Sequence, residues 1–344
     1  MAVVIVFLRG GADGLALVPP VGEDAYHSLR PLTRLTAGQG LRLDQRFTLH
    51  PDLQALVPWW ERGELSVIPA AGIPEDSHSH FVAQDWLEHG GDDVAGGWLG
   101  RWLQSGERNP LGAVALGPVL PESLRGAPGA VALNDLTELS RPGGEALARQ
   151  LVALSATDPL LAQPAADVLA VHERLSQLAT RTAAPYPDTA FAQDLSRVAG
   201  LIHADVGLRV ACVDLSGWDS HIAMDTLLTP MRKTLAGGLA AFAGDLGPAL
   251  RGTSVVVITE FGRRCAENAS LGTDHGRAGC AFVLGGGTPG GVVGTWPGLD
   301  HLEGPGDLPV GTDLRDVFGA VLSRHGGVDP AVVFPGHQPT AIRV

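Results

Sequence analysis

Six consecutive apolar residues, Val3-Val4-Ile5-Val6-Phe7-Leu8, run directly into Arg9-Gly10-Gly11. A half-exposed strand alternates apolar and polar side chains, whereas this run has no wet face and belongs in a sheet covered on both sides. Similar runs recur from Leu65 to Ala70, Ala113 to Leu116, Leu208 to Leu215, Ser254 to Thr259 and Cys280 to Leu284. Helical patterns lie between them, from Pro51 to Arg62, His80 to His89, Ala165 to Thr180, Ala190 to His203, Asp225 to Leu246 and Asp313 to Arg324. Strands alternating with helices predict an α/β fold with a largely parallel sheet and right-handed crossovers. The 344 residues suit one large domain, 1–344, in which the Pro-, Ala- and Leu-richer stretch at about 105–188 reads as a helical insertion or cap on the same core.

Twenty-four Lys and Arg against 37 Asp and Glu leave a net charge of −13, the wrong sign for a phosphate backbone, so nucleic acid is not an expected partner. Cys212, Cys265 and Cys280 are too few and too irregularly spaced for a disulfide framework or a metal knuckle. They are expected to be buried as small hydrophobes. No apolar run reaches the roughly 18 residues of a membrane span. Ala2 to Leu8 lacks a basic flank and a small-residue cleavage site, so the chain as written is expected in the cytoplasm.

Ligands of such sheets bind beyond the carboxyl ends of the strands. There the sequence places Arg9-Gly-Gly-Ala-Asp13-Gly14, Asp76-Ser77-His78-Ser79-His80, Asp214-Leu-Ser-Gly-Trp-Asp219-Ser-His221 and Thr259-Glu260-Phe261-Gly262, with Gly272-Thr-Asp274-His275-Gly276 ahead of the next strand. Imidazoles and carboxylates on loops of a rigid sheet are what divalent transition metals require. Taken singly, Asp13 could be a turn residue, Asp219 and His221 could precede and cap a helix, and Asp274-His275 could be an Asx turn. Ser79 opens the His80 helix, where backbone N–H groups favour negative charge, and is the candidate nucleophile. It could equally be a cap, with Ser77 its competitor by position. The glycines from Gly285 to Gly291 read as a surface turn and Trp59-Trp60 as core packing. His50, just before Pro51 at a helix start, is the one other histidine worth following.

Arg9-Gly-Gly-Ala-Asp13-Gly-Leu, Ser79-His80-Phe81 with Gln84, Gly97-Trp98-Leu-Gly-Arg101, Gly217-Trp218-Asp219-Ser-His221, Glu260-Phe-Gly-Arg263 and Gly272-Thr-Asp-His275-Gly together resemble the bacterial DUF1501 family. The resemblance runs from about Val3 to the region of Pro297. That family is grouped with the alkaline phosphatase and sulfatase superfamily, which implies a three-layer α/β/α sandwich, two metal ions, and phosphoryl or sulfuryl transfer. Carried over, Asp13, Asp219, His221, Glu260 and His275 become metal ligands, Ser79 the nucleophile, and Arg9 or Arg263 the clamp on a small anionic ester. Two departures stand out. Glu260-Phe261 replaces an Asp-His pair, and the Asp219 to His221 spacing is short. One site, of Asp219, His221 and His275, is thus complete, while Asp13, Glu260 and Ser79 form an oxygen-rich set. One or two ions of Zn, Mn, Mg or Ca are implied. The activity implied is a metal-dependent hydrolase of phosphate or sulfate esters, with a non-catalytic metal- or ligand-binding descendant, or a phosphosugar mutase, as alternatives. Many relatives carry an export signal, so a periplasmic location follows if one has been removed.

Overall fold

The computed structural model describes residues 1–344 apart from 37, 107–108, 135–143, 159–160, 164, 168 and 171–183. Its sheet has nine strands: β1 (Ala2–Arg9), β2 (Leu65–Gly72), β3 (Ala113–Leu116), β4 (Val131–Leu133), β5 (Val210–Ser216), β6 (Thr253–Ile258), β7 (Gly279–Gly285), β8 (Gly291–Val292) and β9 (Thr312–Asp313). They lie in the order β8-β2-β7-β6-β1-β5-β3-β4, with β9 also paired to β2. Every pairing is parallel except those of β7, which runs antiparallel to both β2 and β6. The apolar runs expected as strands are strands.

Central placement explains the character of β1. Ile5 lies opposite Cys212 of β5 and Val256 of β6, and alternate side chains enter two separate cores. Val4, Val6 and Leu8 pack with Leu195 and Val198 of the Ala190–His203 helix and Leu235, Leu239 and Phe242 of the Met224–Leu246 helix. Val3, Ile5 and Phe7 pack on the other face with Leu87 of the His80–His89 helix, Trp98 and Trp102 of the Trp98–Gln104 helix, and Phe318 of the Leu314–Arg324 helix. Trp98 stacks on Phe318 with ring centroids 4.3 Å apart. Each such side chain contributes about 1.5–3 kcal/mol by leaving water, so the three-layer α/β/α arrangement follows from a strand that is apolar on both faces.

The differences from expectation are local. β4, β8 and β9 have only two or three residues, too few for a periodicity to show. β4 falls within the 105–188 stretch and, with the expected strand β3, forms one edge of the central sheet. The pattern at Pro51 to Arg62 divides into a 3₁₀ turn, Pro51–Leu56, and a short α-helix, Val57–Glu61. His50 caps the turn, its Nδ1 accepting from the Asp52 amide at 3.2 Å. Most of the pattern from Ala165 to Thr180 lies outside the described residues. All three cysteines are buried and unpaired. Among the described residues no helix is long and apolar enough to cross a membrane.

His325, at the C-terminus of the Leu314–Arg324 helix, is buried against β6, with its Nε2 2.8 Å from the Ser254 hydroxyl. Burial first, then Arg324 and the N-terminal ammonium, push its imidazole down to about 4. The folded chain therefore keeps His325 neutral where the unfolded chain protonates it. Its contribution to stability is complete above about pH 6.5 and is lost as pH falls toward 4. The urea midpoint should fall over that window, and His325→Gln should flatten the fall. An unchanged slope in the variant would show that His325 carries none of it.

Candidate metal centre

The loops after β1, β2, β5 and β6 all leave the same end of the sheet. His275 joins them although it precedes a strand, because β7 is antiparallel. Its first residue, Gly279, pairs with Ala71 near the end of β2, so the loop leading into β7 lies where its parallel neighbours finish. Two glycines allow the loops to meet. A Cβ on Gly10, where φ is +120°, would come within 2.6 Å of the Asp219 amide nitrogen, and one on Gly272 within 2.1 Å of the His221 backbone.

Three imidazoles converge on the Asp219 carboxylate. Nε2 of His221 lies 3.0 Å from Asp219 Oδ1, Nε2 of His275 3.3 Å from the same oxygen, and Nε2 of His80 3.6 Å from Oδ2. Each ring is held by its other nitrogen. His80 Nδ1 donates to Glu260 Oε1 at 2.8 Å and His275 Nδ1 to the His78 carbonyl at 2.7 Å, while His221 Nδ1 lies 3.5 Å from Asp274 Oδ1. A carbonyl can only accept, so the His275 proton sits on Nδ1 and the neutral ring turns a lone pair toward Asp219. The same holds for a neutral His80 against the ionised Glu260. Two features then lack a partner of suitable charge: His80 Nε2 is buried with no hydrogen-bond partner, and the Nε2 atoms of His221 and His275 face each other at 2.9 Å. A divalent cation would satisfy both, and an outer acceptor fixing each ring is the usual support of a metal-bound histidine.

Electrostatics keep the donors in ligand form. Burial alone would raise the Asp219 carboxyl, but the Arg263 guanidinium, 2.6 Å away, holds it below its ordinary value. Burial lowers His275, opposed by the His78 carbonyl and assisted by Arg263, which favours the neutral ring. Burial also tends to raise Glu260. Hydrogen bonds from His80, Gln84, its own backbone amide and the Gly10 amide outweigh it and bring the carboxyl down to about 2.

The expected ligands are placed unequally. Asp219, His221 and His275 come together. Glu260 is fully buried; one oxygen accepts from Gly10, His80 and Gln84, and the other from Thr259. It orients His80 and does not face open space. Asp13 is elsewhere, capping the Gly14–Leu17 helix and pairing with Arg30 at 2.9 Å, both side chains 1% exposed. The oxygen-rich second set is therefore not assembled. Ser79 stands at the start of the His80–His89 helix but makes no side-chain cap bond. Neither Asp219 nor His221 caps the Met224–Leu246 helix, whose cap residue is Ala223. Both arginines are committed. Arg9 bonds Asp214, Gln84 and Glu88, and Arg263 bonds the carbonyls of Gly10, Gly11 and Thr273 as well as Asp219. His80 is the residue that sequence reasoning passed over in favour of Ser79. The signal was the Ser79-His80-Phe81 motif itself, with Gln84 one helical turn on.

If Glu260 tunes His80 as an outer partner, Glu260→Gln should keep the fold and weaken zinc binding by roughly 10–100-fold. Competition against a chelating dye measures this, and equal affinities would mean that its charge is immaterial.

The family profile described as "Protein of unknown function (DUF1501)" matches residues 69–338. No curated protein matches the chain. Among solved structures, Ps i-CgsB in complex with k-i-k-neocarrahexaose is 11% identical, with 97% of this chain and 74% of that one covered and a TM-score of 0.42. The C-terminal periplasmic domain of EcEptC from Escherichia coli, in complex with Zn, is also 11% identical, with coverage of 98% and 88% and a TM-score of 0.40.

Proposed function

The chain belongs to the DUF1501 family, whose description names no reaction, and we propose that it is a metal-dependent hydrolase of phosphate or sulfate esters. The observation that carries the metal is the set of three imidazoles, each held at Nδ1, whose Nε2 atoms gather around Asp219. His80, Asp219, His221 and His275 would hold the ion; three nitrogens and one oxygen suit Zn²⁺ or Mn²⁺ better than Mg²⁺ or Ca²⁺. Such an ion neutralises charge that develops on an ester's oxygens.

The ester class rests on the superfamily with which the DUF1501 family is grouped. The chain's own groups fit such a task. Asp219 is half-exposed, its side chain 48% accessible, so the centre opens to solvent. Ser79, one residue before His80 and without a capping bond, has its hydroxyl free to attack. Arg9 positions Gln84, and through it Glu260 and His80.

A specific observation favours the alternative of a non-catalytic metal-binding descendant: Arg263 is fully buried, and each Arg9 nitrogen already holds a side chain among the described residues. Ser79→Ala separates the two readings. The zinc- or manganese-loaded chain should hydrolyse phosphate monoesters, phosphodiesters or sulfates. The variant should keep its metal and, having no cap to lose, its stability within about 0.5 kcal/mol, while turnover falls by several orders of magnitude. Full turnover in the variant would leave a water as attacker. No hydrolysis of any of the three ester classes by the loaded chain would favour the binding protein.

A further inference from the structure

We infer that Asp76, His78 and Asp307 form a second divalent-cation site, separate from the centre around Asp219 and linked to it through one peptide carbonyl. One potential ligand atom from each lies within 4.8 Å of the other two. His78 Nε2 is 2.8 Å from Asp307 Oδ2. The independent observation is the other oxygen of the same carboxylate. Asp307 has a side chain only 3% exposed, and its Oδ1 is buried with no hydrogen-bond partner. A buried carboxylate oxygen without a donor is costly, and in folded proteins such groups are almost always satisfied by a donor, a water or an ion. Here the neighbouring groups are another carboxylate and an imidazole, and among the described residues no Lys or Arg forms an ion pair with Asp76 or Asp307. A cation is the partner that satisfies all three.

The surrounding chain holds these groups in place before any ion arrives. Asp307 closes a tight loop in which its amide and that of Glu303 exchange hydrogen bonds with each other's carbonyls. The next residue, Leu308, accepts from the Ala278 amide and so ties the loop to the start of β7. On the other side, the segment leading to Asp76 is fixed at the Pro74 carbonyl by Arg277 and at Glu75 by Arg315. Asp76 itself is exposed and among the described residues makes no hydrogen bond or ion pair, so it is the ligand free to close over an incoming ion.

The donor set narrows the ion. Two carboxylates give a charge of −2, and the imidazole favours Zn²⁺ or Mn²⁺ over Ca²⁺ or Mg²⁺, which prefer oxygen alone. His78 gives the site its consequence. Its ring faces Asp307, while its carbonyl accepts the Nδ1 proton of His275 at 2.7 Å. An ion on the ring would immobilise the residue whose backbone sets the tautomer and direction of a ligand in the first centre.

The test is zinc content per chain, read by mass spectrometry on chelator-stripped protein reloaded with Zn²⁺ and desalted. Asp307→Asn and Asp76→Ala should each carry one zinc fewer than the unaltered chain. Asp76→Ala removes an exposed side chain that has no hydrogen bond or ion pair among the described residues, so it carries the test even if Asp307→Asn folds poorly. Asp219→Ala should still retain the ion of the second site. These outcomes do not depend on the first centre: if that reading fails and this one holds, the unaltered chain carries one zinc and the Asp76 and Asp307 variants none. Equal zinc content in the unaltered chain, Asp76→Ala and Asp307→Asn would overturn the inference.

Discussion

Asp219→Ala should abolish zinc binding at the first centre and with it any ester hydrolysis. All three imidazoles address this one carboxylate, so its removal takes away both a ligand and the charge around which the nitrogens gather. The loss should exceed the roughly 10–100-fold that removing an outer partner costs. The fold should survive. Asp219 is half-exposed, and Arg263 keeps its bonds to the carbonyls of Gly10, Gly11 and Thr273. Calorimetric titration with zinc, alongside thermal unfolding, separates the effects. Undiminished binding would show that the carboxylate is not a ligand.

Asp13→Ala should do the reverse, lowering stability by about 3–5 kcal/mol while leaving the first centre loaded. Asp13 and Arg30 form an ion pair sealed from solvent, with Thr273 donating at 3.1 Å to the same carboxylate oxygen that Arg30 contacts. Removing one partner leaves a buried guanidinium without its counter-charge, which costs far more than losing an exposed pair. The loss of the Ala16 cap adds to it. Urea unfolding gives the first quantity and metal content the second. A variant that stays stable but loses its ion would restore Asp13 as a ligand.

Asp13 shows what a sequence can and cannot convey. That it follows a buried strand and lies among glycines was legible, as was the same placement of Asp219, His221 and Glu260, because strand-end position follows from the apolar runs alone. The partner of each side chain was not. Arg30, which neutralises Asp13, comes from a segment with no strong periodicity, and no local pattern pairs positions 13 and 30. Glu260 was legible as a charged residue at the end of a strand. Its conversion into an orienting group depends on His80 and Gln84 approaching from the other side of the sheet's end, a contact across 180 and 176 residues. Asp307 carried no signal, since its role rests on meeting His78 from 229 residues away. The core was easier. β1 announces two buried faces in six consecutive letters, whereas the edge strand β4 has three residues and announces nothing.

We propose that His80, His221 and His275 turn their Nε2 atoms toward one ion beside Asp219. Anomalous diffraction from a crystal of the intact chain grown with Zn²⁺, recorded on either side of the zinc absorption edge, tests it most directly. The expected result is an anomalous peak at roughly 2.0–2.2 Å from Asp219 and from the three Nε2 atoms, with His221 and His275 no longer 2.9 Å apart. No peak at that position, with those two rings still in direct contact in the presence of zinc, would contradict it.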